Sequence, residues 1–313
     1  MANILVTEKI HPSGIHMLKA AGHEVVELEM NADEDVLREK MHNADGMLVR
    51  IRPITRGLME DAKNLKIISK HGVGVDNFDL EAAKELKITV TTAPDANGLS
   101  VAEHAMALLM SLAKNVIPVT QAYKKIGFAA KNYREGVELT GKTLGIIGCG
   151  KIGRRMAAMA KNGFGMRVIA YDPYLAEVPE GVELLSEREQ VFRQADFVSI
   201  HCYLSDETFH CVGEKEFEAM KDTALLINCA RGAVVHEEAL IQALKEGKIA
   251  GAGLDVTEEE PLNPKSPLFA MENVLVTPHY APATKEAATK VSEIAAQNLI
   301  RFFENGEVVG KVV

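Results

Sequence analysis

Three short segments carry polar side chains just where apolar runs end: Ile227-Asn-Cys-Ala-Arg231-Gly232, Leu254-Asp255-Val-Thr-Glu-Glu-Glu260-Pro261 and Val276-Thr-Pro-His279-Tyr-Ala-Pro282. Together they hold the residue types that hydride transfer to a 2-oxo acid demands. Reduction of a ketone leaves an alkoxide, so a proton donor that titrates near neutrality is required, and His279 is the candidate. A carboxylate partner would orient the ring and favour the imidazolium, a role open to Glu260. Arg231 suits the substrate carboxylate, which a guanidinium holds through two parallel hydrogen bonds while polarising the ketone. Each residue alone has a plainer reading: a surface arginine, a solvated Glu258–Glu260 loop, a packed histidine. Their common position after successive strands makes them candidates.

A second constellation is Thr143-Leu-Gly-Ile-Ile-Gly148-Cys-Gly150-Lys-Ile-Gly153. Leu144, Ile146 and Ile147 read as a buried strand, and the helix beginning near Arg154 leads to a second strand, Val168-Ile-Ala-Tyr171. Gly148 makes the tight turn, Gly150 lets backbone approach a pyrophosphate, and Gly153 lets the helix lie close on the sheet. Asp172 stands nineteen positions beyond Gly153, where a carboxylate accepts from both ribose hydroxyls and repels a 2′-phosphate, favouring NAD over NADP. A lone glycine signature is weak evidence. Strand, turn, helix, strand and acid in this order are a strong sign of dinucleotide binding.

Elements that position these residues follow from periodicity. Up to about residue 98, strands at Ile4–Val6, Glu24–Leu28, Met47–Val49, Lys66–Ser69 and Ile88–Thr92 alternate with helices. The first helix is marked by Pro12, Ser13 and Gly22, and the second by a capping box of Asn31 with Glu34, running to Met41. Two more lie near Thr55–Ala62 and Asp79–Leu86. This alternation predicts a parallel sheet with helices on both faces, and the His71-Gly72-Val73-Gly74 loop lies where such sheets bind ligands. Ser100 and Glu103 fit a capping box, so a helix apolar on nearly every side is expected from there, linking two domains. Residues 115 to 140, with Pro118, Gly127 and Gly136, read as a less periodic, projecting arm. Further strands are expected at Phe197–Ile200, Ala224–Ile227, Gly251–Leu254 and Val274–Val276. Helices are expected at Ser186–Gln194, Glu214–Met220 and Glu237–Lys245, and a last one from about Thr284 to Glu304. The expected fold class is α/β: a Rossmann NAD-binding domain (residues 99–284) inserted into a flavodoxin-like substrate domain (1–98 plus 285–313), each a doubly wound parallel sheet.

The 313 residues are 47% hydrophobic and 25% charged, with no tryptophan, the profile of a globular chain with room for two domains. A net charge of −9 argues against a nucleic-acid surface, which needs a basic patch. Cys149, Cys202, Cys211 and Cys229 show no C-x-x-C pairing, so buried thiols are expected, with no metal site or disulfide framework. The N-terminus runs straight into a strand without a signal-like segment, and no stretch is apolar enough to span a bilayer. A cytoplasmic protein without membrane partners is expected.

The sequence resembles the D-isomer-specific 2-hydroxyacid dehydrogenases over nearly its whole length, closest to their 3-phosphoglycerate dehydrogenase branch. The resemblance is carried by Gly72-Val-Gly-Val-Asp-Asn77, Ser100-Val-Ala-Glu-His104, Gly148-Cys-Gly-Lys-Ile-Gly153, Asn228-Cys-Ala-Arg-Gly232 and Gly253-Leu-Asp-Val256 with Glu260-Pro261. Pro278-His279 with Ala283-Thr-Lys-Glu-Ala287 completes it. It implies that Arg231 binds substrate, that His279 is the acid/base and that Glu260 is its partner. It further implies that the Val73 and Gly74 amides hold the substrate carboxylate and that Arg50 and Asn97 line the pocket. Asp255 would hold the nicotinamide carboxamide, with Lys151, Ile152, Cys202, Cys229 and Ala230 lining the cofactor. Members are homodimers joined through the cofactor domain. The chain departs from the pattern at Tyr203, His71, Tyr280 and Pro282, all near the pocket, so these bear on the substrate more than on the reaction. Arg52 could add charge for a second anionic group. Because the chain ends at Val313, a C-terminal serine-sensing domain and its feedback control are expected to be absent. A competing reading is an NAD(H)-sensing binding protein of the corepressor type on the same fold, although no disordered interaction tail is evident. Glutamate rather than glutamine beside the histidine sets the chain apart from formate-type relatives.

Overall fold

A computed structural model describes residues 1–29 and 32–313. The chain divides into two compact units, Met1–Asn97 with Ala283–Val313, and Gly98–Pro282.

In the first unit, strands β1 (Asn3–Val6), β2 (Glu24–Glu27), β3 (Gly46–Val49), β4 (Ile67–Lys70) and β5 (Thr89–Thr91) alternate with helices. These are α1 (Pro12–Ala20), α2 (Glu34–Met41), α3 (Arg56–Asp61) and α4 (Leu80–Glu85), and the final helix α11 (Lys285–Asn305) joins them. The strands pair in parallel in the order β2-β1-β3-β4-β5. Alternate side chains serve opposite faces, as the two-residue strand period requires. Ile4 and Val6 join Leu48, Ile67 and the α11 residues Ala295 and Leu299 in one core, while Leu5, Met47, Val49 and Ile68 join Leu37 and Leu58 in the other. Gly14 allows α1 and α11 to approach backbone to backbone, since a Cβ there would stand 2.7 Å from the Ser292 carbonyl oxygen. Helix α11 is capped as its sequence suggests, Thr284 accepting from the Ala287 amide at 3.2 Å. Helix α2 has Asp33 at its N-cap; the capping box expected of Asn31 falls outside the described residues.

The second unit opens with α5 (Gly98–Ala113) and α6 (Val116–Ile126). It continues through β6 (Thr143–Ile147), α7 (Lys151–Phe164), β7 (Arg167–Tyr171), β8 (Val182–Leu184), α8 (Arg188–Gln194), β9 (Phe197–Ile200) and α9 (Glu214–Ala219). It ends with β10 (Leu225–Asn228), α10 (Glu237–Glu246), β11 (Gly251–Leu254) and β12 (Val274–Val276). All seven strands are parallel, in the order β12-β11-β10-β9-β6-β7-β8. Leu144, Ile146, Phe197 and Ile227 pack with α5 and α7 residues on one face. Ile147, Val198, Ile200 and Leu226 pack with α8, α9 and α10 residues on the other.

Three expectations need correction. The helix α5 begins at Gly98, so Ser100 lies inside its first turn rather than at a capping box. Residues 115 to 140 contain a full helix, α6, followed by a 3-10 segment, Gly127–Asn132. Pro118 sits in the first turn of α6, where a missing amide hydrogen costs nothing, and Gly127 ends the helix with φ at +62°. The residues that suggested irregular chain are therefore start and stop signals. Strand β8, three residues on the sheet edge, was not expected at all. Among the described residues no helix is long and apolar enough to cross a membrane.

Candidate active site

Strand β6 ends in a turn that only glycine permits. Gly148 has φ of +88°, and a Cβ there would lie 2.5 Å from the backbone nitrogen of Cys202, in the segment that follows β9. A Cβ at Gly153 would lie 2.3 Å from the Gly148 carbonyl oxygen, so α7 rests directly on the turn. Gly150 differs. It is the N-cap of α7, with φ of −72°, and a Cβ there would meet nothing within 4 Å. That open space borders a helix N-terminus, whose first amides have no partners inside the helix and favour an anion. Lys151 and Ile152 form the first turn of α7, Lys151 exposed and Ile152 half-buried. Asp172, just past β7, uses one carboxylate oxygen to accept from the Cys149 amide at 2.9 Å and the other to accept from the Tyr174 amide at 3.0 Å. The acid thus also pins the glycine turn. Burial pushes the Cys149 thiol up to about 11.

Because all seven strands are parallel, the segments after them leave by one edge of the sheet. Read along that edge, His279 follows β12, Asp255 and Glu260 follow β11, Arg231 follows β10, Cys202 follows β9, the glycine turn follows β6 and Asp172 follows β7. The strand order reverses between β6 and β9, and such switch points are where open α/β sheets take ligands.

The acid/base candidates meet: His279 Nδ1 lies 2.8 Å from Glu260 Oε2, with both side chains nearly half exposed. The backbone holds this arrangement under constraint. His279 has φ of +52°, a conformation most side chains avoid, and Asp255 fixes it. Asp255 is 1% exposed. Its carbonyl accepts from the His279 amide at 2.7 Å. One carboxylate oxygen accepts from the Tyr280 amide at 2.7 Å and the Thr277 hydroxyl at 2.6 Å, and the other accepts from the Ala281 amide at 2.8 Å. His104, on α5, reaches the Thr277 hydroxyl at 3.0 Å. The carboxylate expected to meet the cofactor is therefore employed in building the histidine turn.

Arg231 is half-buried, and its Nη1 donates to the Ala230 carbonyl at 2.8 Å. The buried Asn228 side chain brackets that turn, donating to the Arg231 carbonyl at 2.9 Å and accepting from the Ala230 amide at 3.0 Å. A Cβ on Gly232 would overlap the Thr257 carbonyl oxygen at 1.8 Å, so the arginine turn is pressed against the segment that carries Glu260. Burial raises the Cys229 thiol, and the Asp255 charge adds to the rise. Cys202 is raised first by its hydrogen bond to Cys211 and then by burial. His201, beside it, is pushed down to about 4 by burial.

The first unit carries the remaining expected residues. Val73, Gly74 and Asn97 are half-buried in loops, and Arg50 is exposed just after β3. Arg52, expected as a further cation, commits Nη1 to the Ala32 carbonyl at 2.7 Å. His71 points its Nε2 at the Ser292 hydroxyl, 2.9 Å away. Its pKa falls to about 4, first by burial and then by the charge of Arg50. Sequence reasoning missed Glu8, Lys70 and Asn77, which hold the Arg50 turn, and His104 and Thr277, which brace His279. Asn77 and His104 stood inside motifs already singled out; Glu8 and Lys70 gave no such signal.

With this geometry in place, comparison with known proteins defines the class. The NAD-binding domain of D-isomer-specific 2-hydroxyacid dehydrogenases matches residues 106–281, and the chain belongs to that family. Its cofactor is accordingly NAD. The chain is 42% identical to a D-3-phosphoglycerate dehydrogenase of Methanocaldococcus jannaschii, matched over 100% of this chain but 59% of that protein. It is 38% identical to a glyoxylate reductase of Korarchaeum cryptofilum, over 99% of this chain and 95% of the relative. The apo structure of D-lactate dehydrogenase from Escherichia coli superposes with a TM-score of 0.86 at 31% identity, covering 99% of this chain and 100% of that one.

Proposed function

We propose that this protein is an NAD-dependent dehydrogenase interconverting a D-2-hydroxy acid and its 2-oxo acid, with His279 as the acid/base. The observation that carries the reading is the 2.8 Å contact of His279 Nδ1 with Glu260, built beside Arg231 on the ends of three adjacent strands. With Nδ1 committed to the carboxylate, Nε2 is the atom that gives a proton to the substrate oxygen in reduction and takes it in oxidation. Glu260 orients the ring through Nδ1, and Arg231 holds the substrate carboxylate and polarises the neighbouring carbonyl. Arg50, Val73, Gly74 and Asn97 are assigned to the substrate's remaining polar groups, which makes the first unit the substrate-binding one.

Gly148, Gly150 and Gly153, with Lys151 and Ile152 in the first turn of α7, would hold the pyrophosphate, and Asp172 the ribose hydroxyls. Cys202 lies beside the Gly148 turn, and Cys229, Ala230 and Asp255 stand toward the other end of the same edge. The strands from β7 to β10 put about 14 Å between the two ends, at a spacing of about 4.8 Å. Bound NAD supplies the hydride acceptor, and NADH the donor.

Helix α6 and the segment after it expose Ile117, Tyr123, Ile126 and Phe128, the last at 77%. This apolar face supports a homodimer joined through the NAD-binding unit. Four free thiols accord with a cytoplasmic setting.

The test is NADH oxidation by purified protein with phosphohydroxypyruvate, hydroxypyruvate, glyoxylate, pyruvate and oxaloacetate. NADPH serves as cofactor control and His279→Ala as blank. Relatives are named for phosphoglycerate and for glyoxylate, so phosphohydroxypyruvate and glyoxylate decide the branch. Turnover abolished in the blank supports the reading. Tight NADH binding without turnover of any acid sinks it.

A further inference from the structure

The end of β1 carries a buried carboxylate that the reaction does not use directly. Glu8 is 5% exposed. Its Oε2 accepts from the Arg50 amide at 2.9 Å, and its Oε1 accepts from the Ile51 and Arg52 amides at 2.9 and 2.6 Å. The Thr7 hydroxyl also donates to it. Three consecutive amides aimed at one point form an anion nest, and a carboxylate with its four lone-pair sites is suited to fill it. The carbonyls of the same turn are held as firmly. Lys70 Nζ donates to the Arg50 carbonyl at 2.5 Å and to Asn77 Oδ1 at 2.6 Å, while the Asn77 amide donates to the Arg52 carbonyl at 2.8 Å.

Two buried charges of opposite sign, at the ends of β1 and β4, thus grip a turn at the end of β3, which lies between those strands in the sheet. With its backbone so occupied, what the turn offers a ligand is side chain. Arg52 is tied to Ala32, Ile51 is 72% exposed, and Arg50 is the exposed cation. The site also lies where the strand order of this sheet reverses, between β1 and β3.

We propose that Glu8 is a positioning residue that fixes the Arg50–Arg52 turn so that the Arg50 guanidinium meets an anionic group of the 2-oxo acid; this rests on the dehydrogenase reading above. Glu8 touches neither substrate nor cofactor. Its filled nest also leaves those three amides unavailable to the substrate.

The experiment measures KM and kcat for the 2-oxo acid turned over fastest, and KM for NADH, in wild type, Glu8→Gln, Arg50→Gln and the double variant. Glutamine keeps the volume but turns an NH2 group toward backbone donors, loosening the turn. The expected result is a rise of at least tenfold in KM for the acid in each single variant, with kcat and the NADH KM within twofold. The double variant should match Arg50→Gln alone, because Glu8 acts only through Arg50. Asn77→Ser, which frees the carbonyl side of the same turn, should repeat the KM rise and stands in if Glu8→Gln does not fold. An unchanged KM in Glu8→Gln, or in Asn77→Ser in its place, overturns the proposal, as do effects that multiply in the double variant. A drop in kcat alone, which a merely structural role would produce through a smaller active fraction, overturns it as well. Arg50→Gln without effect removes the assignment of Arg50 and this proposal with it, while leaving the dehydrogenase reading intact. Absence of turnover in the wild type removes both.

Discussion

Alanine at Gly150 separates a glycine that serves the cofactor from one that serves the fold. With φ of −72° and no atom within 4 Å of the added methyl, alanine fits without strain. The expected change in folding free energy is within about 1 kcal/mol, since a weaker N-cap is offset by the lower entropy of the unfolded chain. If a pyrophosphate is held against that backbone, the methyl forces it outward and weakens one or two charge-assisted hydrogen bonds, each worth about 1.5–3 kcal/mol. The dissociation constant for NADH should then rise about ten- to a hundredfold, at about 1.4 kcal/mol per decade. Gly148→Ala should behave oppositely. Its Cβ would meet the Cys202 nitrogen at 2.5 Å from a backbone with φ of +88°, costing about 1–2 kcal/mol in conformation and about 1–3 kcal/mol in overpacking. Thermal melting of the free protein and calorimetric titration with NADH read the two effects separately. A Gly150→Ala protein that binds NADH within twofold of wild type would refute the placement of the pyrophosphate. A Gly148→Ala protein that melts at the wild-type temperature would refute the packing argument.

Two further outcomes follow from buried groups. His71 and His201 are held near pKa 4, below the unfolded value of about 6.5. The unfolded chain therefore takes up protons first, and their contribution is intact above about pH 6.5 and lost as pH falls toward 4, at most about 3 kcal/mol for each. His201 also keeps a buried Nδ1 without a partner, so His201→Asn should lose less melting temperature between pH 7.5 and pH 4.5 than wild type; an equal loss would contradict this. Asp255→Asn replaces one acceptor oxygen of the His279 turn by an NH2 donor facing another donor and should lower kcat at least tenfold, with NADH binding changed less. If it weakens NADH binding alone and leaves kcat at saturation intact, Asp255 is a cofactor ligand and not the brace of the histidine.

Much of the architecture was legible because its signals are local. Short apolar runs such as Leu144, Ile146 and Ile147, a glycine turn and a distant acid define strand, helix and cofactor edge without any long-range information. The placement of the candidate site was legible for a related reason, since Arg231, Glu260 and His279 each lie a few residues past a strand and parallel strands bring such ends to one edge. What escaped depends on non-local partners. Glu8 acquires its role from amides more than forty positions away, and nothing in Thr7-Glu8-Lys9 announces it. Asp255 stood in a motif, yet its two oxygens are claimed by Thr277, Tyr280 and Ala281 only once the β12 turn has formed. Helix α6 was hidden by Pro118 and Gly127, which mark a helix boundary as readily as a loop.

The split of the first unit has a consequence during synthesis. Its sheet is complete by Thr91, but the core around Ile4, Val6, Leu48 and Ile67 needs Ala295, Ala296 and Leu299 from α11. The ribosome adds some two hundred residues between those points, about 10–40 s of elongation at about 5–20 residues per second. The second unit is contiguous and can close as it emerges, whereas the first must carry an apolar sheet face covered only in part, by Ile15 and Leu18 of α1, through that interval. Nascent chains stalled before residue 295 should therefore recruit chaperones, and should release them once α11 has left the exit tunnel.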